Sequence, residues 1–120
     1  MRERRKLKRR SMSYYMPVID PKTEQIIGHL VDITMQGLMM DSQLLIPIDK
    51  DWELRLNVTA DVADKNYIEF LGRCKWCQPD ALEPYLNDIG FEIISISPHD
   101  AEIIQRIVDK YGARENTFNF

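Results

Sequence analysis

The sequence predicts an all-β domain, an antiparallel barrel or sandwich, with one helix close to its C-terminal end. Three observations predict it. Apolar and polar residues alternate with period two along several short runs. The connections between runs are too short to hold crossover helices, so neighbouring strands must pair antiparallel. One later segment changes to helical spacing behind a serine–proline start. At 120 residues the chain has the size of a single domain.

In chain order, Ser13–Ile19 and Ile26–Ile33 are rich in β-branched and aromatic residues. Between them, Asp20-Pro21-Lys22-Thr23 has hairpin-turn chemistry. Leu38–Asp41 makes a short third strand. Trp52, Leu54, Leu56 and Val58 then alternate with Glu53, Arg55 and Asn57, the pattern of a strand buried on one face. From Tyr67 to Gln78, period two puts Ile68, Phe70, Cys74 and Trp76 on one side and Glu69, Arg73 and Lys75 on the other. The run Ile89–Ile94 sets Ile89, Phe91 and Ile93 against Gly90 and Glu92. The helix follows: Ser97 suits the N-cap, Pro98 the first helical position, and Asp100 the first turn. Ala101, Ile104, Ile107, Val108 and Tyr111 form its apolar stripe, expected to pack on the barrel, and Gly112 supplies a stop. Residues 113–120 read as a frayed tail.

Composition excludes several classes. Hydrophobic residues at 44% and charged residues at 29% are the balance of a globular chain, not a disordered one. Two cysteines cannot staple a secreted scaffold. No apolar run approaches the ~20 residues of a spanning helix, and the basic start is not followed by the apolar stretch of a signal peptide. The expected setting is cytoplasmic, without membrane insertion. The charge is uneven. Residues 1–10 carry seven basic side chains against Glu3, a net of +6, and the other 110 residues carry nine basic against eighteen acidic, a net of −9. Residues 1–11 are therefore expected to be a flexible basic leader that an anion would order, and residues 12–112 the folded body. A charged run is most often only a solvated face.

Three motifs read as structure. Cys74-x-x-Cys77 resembles half a zinc site, but only His29 and His99 could complete it. Residues three apart on a strand point to opposite faces, so the two thiols are expected to diverge. The same geometry separates His29 from Asp32. Asn57-Val58-Thr59 is a glycosylation sequon without a secretory context. No phosphate-cradling glycine loop, metal-ligand cluster or catalytic triad can be assembled, and an enzyme is not expected. Neither a catalytic residue nor a metal site nor a cofactor is assigned.

Two features remain. Arg5 and Arg9 are separated by three residues in Glu3-Arg4-Arg5-Lys6-Leu7-Lys8-Arg9, and Asp32-Ile33-Thr34-Met35-Gln36-Gly37 leaves one strand for the next. With a strand ending in Trp76, then Gly90-Phe91-Glu92-Ile93 and the Ser97-Pro98-His99-Asp100 helix start, they resemble the PilZ domain of bacterial cyclic di-GMP receptors. That family combines Arg-x-x-x-Arg with Asp/Asn-x-Ser-x-x-Gly. The likeness covers residues 3 to about 111 and departs at Thr34, where the family serine gains a methyl that is stiff at χ1.

The resemblance implies a six-stranded antiparallel β-barrel with a C-terminal α-helix. It also implies cyclic di-GMP as ligand, held by Arg4, Arg5, Arg9, Asp32, Thr34 and Gly37. The chemistry agrees. A guanidinium fork can grip a phosphodiester or the guanine O6/N7 edge in a way an ammonium cannot. Asp32 accepts from the guanine N1–H and N2–H₂ donors, Thr34 offers a hydroxyl, and Gly37 permits a tight turn and close backbone approach. Trp76 lies near a base or in the core. The implied role is a receptor or adaptor relaying the second messenger to an effector protein, with motility, surface attachment or exopolysaccharide as outputs. Two alternatives stand beside it. One is a degenerate PilZ domain that binds only protein. The other is a small nucleic-acid-binding barrel, disfavoured because the acidic body repels a polyanion and offers no aromatic stacking ladder.

Overall fold

The computed structural model describes residues 16–111. Six strands are formed: β1 (Pro17–Asp20), β2 (Gln25–Ile33), β3 (Gly37–Ser42), β4 (Asp51–Asn57), β5 (Tyr67–Pro79) and β6 (Asn87–Ile96). Among the described residues one helix, α1 (Pro98–Tyr111), follows them. Every strand pairing is antiparallel, and the order β1-β2-β3-β6-β5-β4 closes on itself as a barrel. The expected six-stranded barrel with its C-terminal helix is what forms.

The alternation seen in the sequence fills the interior. Val18, Leu30, Ile33, Leu38, Met40 and Leu54 point inward with Leu56, Ile68, Phe70, Cys74, Ile89 and Phe91. Ile103, Ile104 and Ile107 of α1 join the same cluster, so the helix completes the core. The β1–β2 turn follows its sequence. The Asp20 carbonyl accepts the Thr23 and Glu24 amides, and the Asp20 carboxylate accepts the Lys22 amide at 2.9 Å. The turn is finished by Glu24 in the left-handed region at φ 64°.

The helix begins as expected. The Ser97 hydroxyl accepts the Asp100 amide at 3.2 Å, satisfying one of the amides that the first turn leaves open. Asp100 is buried, and its carboxylate accepts the Glu69 amide at 3.1 Å and meets Lys65 Nζ at 2.7 Å. The start of α1 is thereby fixed to the start of β5. At the other end, Asp61 in the β4–β5 connection accepts the Tyr111 and Thr59 hydroxyls and pairs with Lys110 Nζ at 2.9 Å. Gly112, the expected stop, lies outside the described residues.

Four irregularities of register set which side chains face out, the first leaving Ile27 extra in β2 between the Val18–Gly28 and Ile19–Ile26 pairs. Leu30 opposes Met40 and Asp32 opposes Met39, which leaves Val31 as an extra residue in β2. Cys74 opposes Phe91 and Trp76 opposes Gly90, which leaves Lys75 extra in β5. A fourth shift leaves Ile94 extra in β6, between the Leu71–Ser95 and Gly72–Ile93 pairs. Such bulges reset the two-residue period and re-aim everything beyond them.

They correct three expectations. Trp76 does not share a side with Ile68, Phe70 and Cys74, because the extra residue turns it outward. Cys77, opposite inward-facing Ile89, comes back to the side of Cys74. The two thiols therefore converge on one peptide unit, with Cys77 Sγ 3.5 Å from the Ile46 amide and Cys74 Sγ 4.0 Å from its carbonyl. Burial, with Cys77 beside it, pushes the Cys74 thiol up to about 11, the behaviour of a core residue rather than a nucleophile. Finally, Asp32 does not oppose His29 in direction. Their partners Met39 and Asp41 are two apart on β3, so both side chains lie on the outer face.

Candidate functional site: the outer face of strands β2, β3, β6 and β5

The β2–β3 hairpin holds three of the residues that the sequence singles out. Its turn is built by Thr34. The Thr34 amide donates to the Gly37 carbonyl at 2.8 Å, the Thr34 hydroxyl accepts the Gln36 amide at 3.2 Å, and that hydroxyl lies 3.4 Å from the Gly37 carbonyl. The Gln36 carbonyl accepts the Ile93 amide at 2.8 Å, which fastens the turn to β6. Thr34 thus spends its hydroxyl on the turn itself. Gly37 opens β3 opposite Glu92, and no glycine among the described residues has a positive φ. Its expected role in a tight turn is therefore not a matter of left-handed backbone.

Asp32 sits one turn-flank away. The extra residue at Val31 brings it to the outer face, where it is only 6% exposed and accepts the Ile33 amide at 2.9 Å. Without that bulge, period two would drive the carboxylate into the barrel interior, at the large cost of a buried charge.

The register extends this position into a row across four strands. Asp32 pairs with Met39, Met39 with Gly90, and Gly90 with Trp76. The missing side chain at Gly90 is essential to the row. A Cβ there would lie 2.4 Å from two atoms of the Trp76 indole, so the ring lies flat across the β6 backbone. The result is a plate of indole and thioether with a carboxylate at one end.

A second outer row runs alongside: Pro17, His29, Asp41, Asp88 and Gln78. Two carboxylates face each other here on adjacent strands, and His29 Nδ1 lies 4.0 Å from Asp41. On the other side, Gly37, Glu92, Arg73 and Asp51 form a third row, in which Arg73 Nε grips Asp51 at 2.7 Å. That guanidinium holds the Asp51 carboxyl below its usual range.

The face therefore joins Asp32, Thr34 and Gly37 with Met39, Gly90 and Trp76. Of these, Met39 and Gly90 were not among the expected ligand-binding residues, because only strand register shows that they continue the row. Arg4, Arg5 and Arg9 lie outside the described residues. Among the described residues, no group of three or more His, Cys, Asp or Glu side chains is arranged to hold a metal ion. No described helix is long and apolar enough to cross a membrane. A separate groove of about 450 Å³ lies elsewhere on the barrel, lined by Glu53, Glu69, Phe70, Leu71, Ser95 and Ser97 among others.

Comparison with known proteins agrees with this geometry. The PilZ domain family model matches residues 3–110. No curated protein and no solved structure matches the chain. A match over nearly the full length, on a closed six-stranded barrel with one C-terminal helix, shows that the chain belongs to the PilZ domain family, a family of cyclic di-GMP receptors and adaptors.

Proposed function

We propose that the protein binds cyclic di-GMP on the outer face of β2, β3, β6 and β5 and relays that event to a partner protein. The observation that carries this reading is the bulge at Val31. It turns Asp32 from the barrel interior to the outer face, in one row with the flat Trp76 indole. A carboxylate at one end of a row and an aromatic plate at the other suit a guanine dinucleotide: the acid accepts N1–H and N2–H₂, and the indole stacks on a base, worth roughly 1–3 kcal/mol per stacked base.

The leader supplies the opposite charge. Arg5 and Arg9, with Arg4 adjacent, take the phosphodiesters and the guanine O6/N7 edges through paired N–H donors. Thr34 holds the turn that presents Asp32, and Gly37 lets the ligand approach the backbone. Folding the +6 leader over the acidic face changes both its shape and its charge, and the altered face is what the partner reads. The protein acts as a binding module, as its family does, with motility, biofilm or exopolysaccharide as the regulated output.

Calorimetric titration with cyclic di-GMP tests the reading. Binding is expected in wild type. Arg9→Ala and Asp32→Ala should each weaken it by about tenfold or more, corresponding to roughly 1–3 kcal/mol per paired contact, while Lys22→Ala in the β1–β2 turn should not change it. No heat at high micromolar ligand in wild type would refute the receptor role.

A further inference from the structure

At one end of the barrel the β3–β4 loop, residues 43–50, exposes a run of aliphatic side chains. Leu45 is 80% exposed, with Leu44 and Ile48 also open to solvent, and Tyr85 on the β5–β6 loop is 68% exposed. Exposed aliphatic residues are ordinary when scattered singly, whereas a cluster marks a docking surface.

These loops are held in place by polar anchors. The Ser42 hydroxyl accepts the Leu44 amide at 2.9 Å, and Asn87 Nδ2 donates to the Leu44 carbonyl at 2.8 Å, which ties the two loops together. Ile46 is buried, and the Asp49 amide donates to the Cys74 carbonyl. On the second loop the Asp80 carboxylate accepts the Leu82 and Glu83 amides at 2.7 and 3.1 Å. The apolar side chains are thus presented from backbone that is already fixed, so a partner need not supply the entropy of ordering it.

Charge selects the occupant. The two loops carry exposed Asp49 and half-buried Glu83 against Lys50, with Asp80 buried in its own turn, and the chain outside residues 1–10 has a net charge of −9. A second copy seated loop to loop would bring the same acidic loops, and an anionic lipid surface would be repelled as well. An apolar segment flanked by lysine or arginine is attracted.

We infer that Leu44, Leu45, Ile48 and Tyr85 form the seat for a basic amphipathic helix of a partner protein. This deepens the adaptor reading and rests on it. The seat also has a direct connection to the nucleotide face, because β3 runs from Gly37 at the ligand motif to Ser42, which holds Leu44.

The test uses the full chain and two labelled peptides about four helical turns long. Both have the same leucine stripe, one with lysine and one with glutamate on the polar face. By fluorescence anisotropy the lysine peptide should bind at least about tenfold tighter than the glutamate peptide. Leu45→Ser combined with Tyr85→Ser should weaken lysine-peptide binding by about tenfold or more. Ile26→Ser, at a residue 57% exposed in β2, should leave it unchanged. Equal binding of the two peptides, or a double variant that binds like wild type, would overturn the inference. So would self-association that the double variant abolishes, seen by sedimentation equilibrium. Calorimetry with cyclic di-GMP on the same double variant separates the two claims. Retained nucleotide binding with lost peptide binding supports the seat, and lost nucleotide binding in a variant still folded by circular dichroism counts against it. A wild type that binds peptide but no nucleotide refutes the receptor role alone.

Discussion

Gly90 shapes the outer face of β5 and β6 through what it lacks. The Trp76 indole occupies the space that a Cβ would need. Replacing Gly90 with alanine forces the ring off the β6 backbone or bends the strand. Overpacking of this kind costs about 1–3 kcal/mol. Urea unfolding of Gly90→Ala should show that loss, together with a shift in tryptophan emission as the indole is displaced. Unchanged stability and emission would mean that the ring does not lie on Gly90. The same residue scale explains Thr34. Its hydroxyl closes the β2–β3 turn, which serine would also do, so the departure from the family serine leaves the hairpin intact.

Among the elements, α1 is clasped to the barrel by two aspartates of different kinds. Asp100 is buried and bonded to β5, whereas Asp61 works at the surface through Thr59, Tyr111 and Lys110. Hydrogen bonds from Thr59, then Tyr111, then Lys110 hold the Asp61 carboxyl well below the usual carboxylate range. The sign follows from the direction of the shift. A carboxylate with a depressed folded-state pKa adds stability above its unfolded value of about 4, and that stability is lost as pH falls toward the folded value. Asp61→Asn should therefore lower the urea midpoint at pH 7, and the difference from wild type should shrink as the pH drops below about 4. A difference that stays constant from pH 7 to pH 3 would remove the charge from the account. Lys110 and Tyr111 are both raised by the same contact, consistent with one shared clasp.

The element scale also shows what was legible in the sequence. Alternation around Trp52–Val58, the Asp20–Thr23 turn and the Ser97-Pro98 helix start each depend on neighbours along the chain, so each could be read directly. The bulges at Val31 and Lys75 could not. They depend on which residue the opposing strand offers, and period two carried past them reverses Asp32, Trp76 and Cys77. Asp32 and Gly37 were legible because they belong to a family motif, whereas Met39, and the place of Gly90 under the Trp76 ring, follow only from cross-strand pairing.

Across the described residues the sheet has no free edge, since β1 pairs with β4 and closes the barrel. Strand addition, a common route to partners, is thereby closed to the described strands, which leaves their faces and loops as docking surfaces. The division of charge fits this. An acidic barrel with a basic leader can hold a ligand of two phosphodiesters between them, and each contact with the leader should weaken as salt screens it. Nucleotide affinity is expected to fall with added salt in wild type. In Arg9→Ala, where one cation is already gone, it should fall less steeply.

The two tryptophans give the central claim an internal control. Trp76 lies on the outer face across Gly90, whereas Trp52 packs against the core from β4, under Lys50. Nitrogen–proton NMR correlation spectra recorded during a cyclic di-GMP titration report both indole N–H groups at once. The Trp76 indole and the amides of Asp32, Thr34, Gly37 and Met39 should shift together, with the Trp52 indole unmoved. Saturating nucleotide that leaves those signals in place, or shifts only Trp52, would contradict the account.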